Sequence, residues 1–157
     1  MAPGESGRQR GYAFVMVMAL VALLALALSH IGPVWVDDAR RDREQELLRV
    51  GGLYAQAIQD YRAASPGSLK SWPPRLEDLL LDKRFVGTRR HLRNLYPDPL
   101  APGRPWGLIK APDGGIQGVY SQDTREPFRR GFVELPAATL NPARRYDDWI
   151  FIPRTNS

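Results

Sequence analysis

The chain has 157 residues, 43% hydrophobic and 25% charged, with a formal net charge of +5 and a mean hydropathy of −0.36. It contains no cysteine, which excludes disulfides and thiolate chemistry. Its positive and negative side chains are interspersed, the pattern of a solvated surface and not of a nucleic-acid-binding face.

In chain order, residues 1–10 are polar and basic, and Arg8 and Arg10 close this leader. From Gly11 to Val36 no charged side chain occurs. As a helix this run spans roughly 39 Å, enough for the ~30 Å core of a bilayer, and it predicts one membrane-spanning helix over 12–36. It is too long for the apolar segment of a cleaved secretory signal. Ala22, Ala25, Ser29 and Gly32 fall on one narrow helical stripe whose small side chains allow close helix packing in lipid. Pro33 predicts a kink or a local break.

Residues 37–64 continue the helix with an amphipathic pattern. Leu47, Val50, Tyr54, Ile58 and Tyr61 form the apolar stripe. The charged face offers the pairs Asp37–Arg41, Arg40–Glu44 and Arg43–Glu46. Gly51-Gly52 interrupts it at about 1 kcal/mol per glycine and marks either a kink or a close packing point. Of the 14 prolines, Pro3 and Pro33 precede Ala64 and the remaining 12 follow it, so a turn-rich domain over 65–157 is expected after the helix. In that domain Pro74 to Asp82 reads as a short helix and Thr88 to Asn94 as a further turn. Trp106 to Lys110, Ile116 to Ser121, Phe132 to Leu135 and Trp149 to Ile152 read as strands. Ala111 to Gly115 reads as a hairpin turn between the first two. The fold class is therefore α+β: a long N-terminal helix packed on a small antiparallel sheet.

Few residues carry candidate chemistry. The doublet Asp147-Asp148 suggests calcium ligation, with a solvated turn as the plainer reading. His30 falls near the outer end of the apolar run. His91 sits in a basic segment that reads as surface, with no nucleophile or carboxylate at a suggestive spacing. Gly114-Gly115 lacks the context of a phosphate loop. Trp106, Trp149, Tyr96 and Tyr120 read as core or interface aromatics. The residues point to a structural protein and not to an enzyme.

The border Arg10-Gly11, followed by the aromatic Tyr12 and an uncharged run, resembles the signal of type IV prepilins and type II secretion pseudopilins. Arg41 to Gly51, Ala57-Ile58, Tyr61, Arg90 to Leu92, Tyr96 to Pro99, Trp106 to Ile109 and Asp113 to Ser121 are similar to one pseudopilin subgroup. The resemblance implies a pilin-like fold and cleavage by prepilin peptidase after Gly11, with Tyr12 as the methylated first mature residue. It implies residues 1–11 as leader peptide, 12–36 as the membrane helix, 37–64 as its amphipathic continuation and 65–157 as a periplasmic head. Ala22, Ala25, Ser29, Gly32 and Pro33 would then belong to the assembly helix. The implied partners are other pseudopilin or pilin subunits, prepilin peptidase, an inner-membrane assembly platform and the bacterial inner membrane itself. Where the family usually has glutamate at the fifth mature position, this chain has Met16. That departure implies a minor, priming, tip-type or atypical member. No cofactor is implied, calcium being the one open ligand. The competing reading is an unprocessed, single-pass, membrane-anchored periplasmic binding or regulatory domain.

Overall fold

The computed structural model describes residues 6–29 and 32–154, with side chains for 12–27 and 37–154. The described chain is α+β and divides into two compact units between Arg40 and Arg41. Helix α1 (Ser6–Ser29) belongs to the first unit and α2 (Gly32–Ala63) runs into the second. The sequence reads as one long helix; helical backbone is described over 6–29 and again over 32–63, and His30 and residue 31 between them lie outside the described residues. Among the described residues no helix is long and apolar enough to cross a membrane. The side chains at 28–36 of the expected span also lie outside the described part.

The second unit is built around the inner face of α2. Leu47, Val50, Tyr54, Ile58 and Tyr61 are all buried, as their spacing predicts, and Leu48, Ala55 and Ala57 widen the same face. Against them lies a three-stranded antiparallel sheet of β1 (Gly107–Lys110), β2 (Ile116–Tyr120) and β5 (Ile150–Phe151), in the order β1-β2-β5. Leu108 pairs with Val119, and Val119 with Phe151. A separate ribbon joins β3 (Val133–Glu134) to β4 (Thr139–Leu140). The helix and sheet share one aromatic core. Trp106 lies 5.3 Å from Tyr54 and 6.5 Å, edge-on, from Phe151; Tyr146 meets Trp149 edge-on at 5.4 Å. Such tilted pairs add attraction beyond the area they remove from water. Both the Tyr54 hydroxyl and the Trp106 indole N–H donate to the Tyr96 carbonyl, so the polar ends of these rings are satisfied inside the core.

The hairpin turn Ala111–Gly115 forms as expected. The Gly114 N–H donates to the Ala111 carbonyl, Asp113 accepts from the Gly115 N–H, and Gly114 takes φ +84°, a conformation that favours glycine. Gly51-Gly52 does not end the helix, and Gly51 is the close packing point: a methyl there would overlap the buried ring of Phe151.

Other expectations are corrected. Pro74 to Asp82 is not an α-helix but a single 3-10 turn, Leu76–Leu79. Its Asp78 carboxylate turns back to accept the Arg75 N–H, closing the turn at once. Thr88 to Asn94 forms no helical turn. The N–H groups of His91 and Leu92 are drawn across to the Leu79 carbonyl, and helical i→i−4 bonds cannot form there. Phe132 lies outside β3 and is exposed. Trp149 lies outside β5, because its N–H closes a 3-10 turn (Tyr146–Asp148) on the Tyr146 carbonyl.

Candidate functional site

The residues singled out by the leader resemblance fall on α1 and the start of α2. Gly11 and Tyr12 lie within the helical backbone of α1. Tyr12 and Met16 are 72% and 62% exposed, and Ala22 and Ala25 are also exposed. Met16 is flanked by Ala13, Val17, Ala19, Leu20 and Leu23 on a surface made of apolar atoms. Ser29 closes α1 and Gly32 opens α2; their side-chain surroundings, and those of Pro33, lie outside the described part. Pro33 is the second residue of α2, and residues 30–31 before it lie outside the described part.

In the second unit, two polar assemblies tie loops to α2. The first is centred on Glu44, which lies three residues before Leu47 and so on the inward stripe. Its spacing from Arg40 suggests an exposed pair, yet its side chain is buried. One carboxylate oxygen accepts from both the Tyr146 hydroxyl (2.7 Å) and the Phe128 N–H (2.8 Å); the other lies 3.6 Å from Arg129 Nε. The Arg41 guanidinium lies over the Phe128 ring at 5.1 Å. Glu46, in turn, is held by Arg49 at 2.6 Å and not by Arg43. Replacing Glu44 by alanine removes the acceptor of two donors and is expected to cost about 2–3 kcal/mol; Glu44→Gln keeps a carbonyl oxygen for both and is expected to cost about 1 kcal/mol. Urea unfolding of the two variants checks this, and equal losses would contradict the double-acceptor role.

The second assembly surrounds Asp82, which is fully buried. Arg84 grips it through Nε (2.8 Å) and a terminal nitrogen (2.6 Å). The same guanidinium donates to Ser65 Oγ (2.7 Å), to Ser71 Oγ (3.1 Å) and to the Tyr61 carbonyl near the end of α2 (2.7 Å). It also stacks 3.6 Å above the Tyr61 ring. The side chain of His91 is buried and does not point to solvent; its Nε2 lies 3.0 Å from Asp82 and its ring meets Tyr61 edge-on. The sequence hides this pairing because it depends on the 82–89 loop closing, with the Asp82 N–H on the Arg89 carbonyl. The Arg84 guanidinium holds the Asp82 carboxyl well below the usual carboxylate range, with help from His91, while burial acts in the opposite direction. The Ser65 hydroxyl is engaged by Arg84 and the His91 nitrogen by Asp82, so the arrangement acts as a clamp on the end of α2.

Asp147 and Asp148 are both turned to Arg145: Asp147 forms an ion pair with its guanidinium and Asp148 accepts its backbone N–H at 3.1 Å. The doublet therefore closes the 3-10 turn before β5. Among the described residues no group of three or more His, Cys, Asp or Glu side chains is placed to hold a metal ion. Trp106 and Trp149 are core residues; Tyr96 and Tyr120 are half-buried. No protein-family profile, curated protein or solved structure matches the chain.

Proposed function

We propose that the chain is a pseudopilin-type structural subunit of a type II secretion or type IV pilus-like assembly. On this reading it is held in the bacterial inner membrane with its head in the periplasm, processed by prepilin peptidase, and assembled through α1. The observation that carries the reading is the state of α1. Its large apolar side chains from Tyr12 to Leu26 are between 53% and 72% exposed. At about 25 cal/mol per Å² such a surface is strongly disfavoured in water. A bilayer would cover it in the stored subunit, and neighbouring α1 helices would cover it in the filament. The remainder of the uncharged run, beyond the described side chains, would complete the span. The buried face of α2 gives the head its own core, so that a rigid domain would be carried on an apolar helix. The subunit would have no catalytic site, and Met16 would place it among the minor or atypical members.

The alternative, an unprocessed anchored periplasmic binding or regulatory domain, is favoured by one observation. The Gly11–Tyr12 peptide lies inside α1, and a peptidase needs that turn unwound. Mass spectrometry of the full chain from cells with and without active prepilin peptidase separates the two. We expect an N-terminus beginning at methylated Tyr12 only when the peptidase is active, and a Gly11→Val variant that stays intact. An intact leader in the presence of active peptidase would overturn the proposal. Because the chain has no cysteine, Met16→Cys and Ala22→Cys introduce unique thiols. Crosslinks from them to pilin-like subunits are the expected assembly signature.

A further inference from the structure

The last turn of α2 and the C-terminal segment together enclose a second feature, independent of α1. Between them lies an open pocket of about 320 Å³ lined by Arg62, Ala63, Lys70, Trp72, Pro153 and Arg154. Among the described residues lining it, none is acidic. Its three cations, Arg62, Lys70 and Arg154, form no ion pair with any described residue, although ion pairs are common elsewhere in this unit.

The three cations are held differently. The Arg62 guanidinium lies over the Trp72 ring at 4.3 Å, which restricts its position. Its Nε is shielded from solvent and has no hydrogen-bond partner. Lys70 is pinned at the rim by the Ala63 and Ser65 carbonyls, at 3.1 and 3.4 Å. Arg154 is pinned by the Thr139 hydroxyl at 2.9 Å. The neighbouring acid, Asp60, lines the separate groove on the His91 side, and its carboxylate accepts from Gln56. A stacked arginine flanked by two anchored cations is a preorganised receptor for negative charge.

We propose that this pocket binds an acidic peptide segment of a partner protein, with one carboxylate on Arg62 and further carboxylates on Lys70 and Arg154. A peptide fits better than a small anion because the pocket is open and holds about 320 Å³, room for several side-chain carboxylates, of which one small anion fills only a part. The proposal does not depend on the pseudopilin reading, since an anchored binding domain would use the pocket equally.

The test is fluorescence anisotropy with the full chain in detergent micelles and a labelled hexaglutamate peptide as probe. The expected result is saturable binding that weakens with salt. Arg62→Glu and Lys70→Glu should each weaken it about tenfold or more, the scale of one lost charge-assisted contact. Arg104→Glu, at an exposed arginine outside the lining, should leave it unchanged. Lys70 is exposed, so its variant tests the pocket even if Arg62→Glu fails to fold. Absence of saturable binding, or equal binding by wild type and Lys70→Glu, would overturn the proposal. Displacement of the peptide by inorganic phosphate at equal concentration would overturn it in favour of a small-anion site.

Discussion

Replacing Asp82 by alanine is expected to lower the stability of the second unit by about 3 kcal/mol, near the lower end for breaking a buried ion pair. The lower end applies because Arg84 keeps a side-chain exposure of 20% and is partly rehydrated once its partner is gone. The loss remains large because two side chains, Arg84 and His91, depend on this carboxylate. Arg84, which also reaches Ser65, Ser71 and the Tyr61 carbonyl, is oriented by it, and so is His91. The same group sets a pH dependence. Its carboxyl titrates below the ordinary value of about 3.9 that applies in the unfolded chain, so below that pH the unfolded chain takes up the proton first. Its contribution is fully present above about pH 4 and is lost as pH falls from there toward its folded-state titration. Urea unfolding followed by tryptophan fluorescence at pH 7 and pH 3 measures both effects. The wild type should lose more stability between those two pH values than Asp82→Ala does. A variant within 1 kcal/mol of wild type at pH 7, or one with the same acid sensitivity, would contradict the clamp.

Gly51→Ala is expected to destabilise the head by about 1–2 kcal/mol, whereas Gly52→Ala, one residue on, is expected to stabilise it by about 0.5–1 kcal/mol. Helix propensity favours alanine equally at both positions, by about 1 kcal/mol. The difference is tertiary. A methyl on residue 51 would overlap the ring of Phe151, which is fully buried and already packed edge-on to Trp106. With three ring atoms within 2.5 Å of that methyl, the cost falls at the upper end of the range of about 1–3 kcal/mol for overpacking a filled core and outweighs the propensity gain. On residue 52 the nearest atom is Leu135 Cδ1 at 3.7 Å, an ordinary contact. Thermal melts of the two single variants should therefore shift in opposite directions. Shifts of the same sign would show that Phe151 moves aside or that residue 52 is more crowded than its contact implies.

Local patterns are legible in the order of residues alone. The spacing of Leu47, Val50, Tyr54, Ile58 and Tyr61 marks the buried face of α2, because a helix repeats its direction every 3.6 residues whatever it packs against. Ala111 to Gly115 marks the hairpin because proline and glycine restrict or free φ locally. The uncharged run from Gly11 marks the apolar helix α1 for the same kind of reason. Glu44 is half legible: it stands on the stripe, but its charge reads as solvent-facing until Tyr146, 102 residues away, is seen to meet it.

The remaining site features have no local signature. His91 reads as a surface residue in a basic segment; only the closed loop brings it to Asp82. Arg62 and Lys70 read as scattered surface charge until the fold sets Arg154 beside them without an acid. Composition and periodicity thus establish an apolar helix, an amphipathic helix and a small sheet, because those follow from side-chain character and backbone geometry within a few residues. Which glycine is a contact, which carboxylate is buried and which cations share a pocket are decided only where distant segments meet. There the outcome depends on excluded volume and on the pairing of charges removed from water, and neither is written in the order of neighbouring residues.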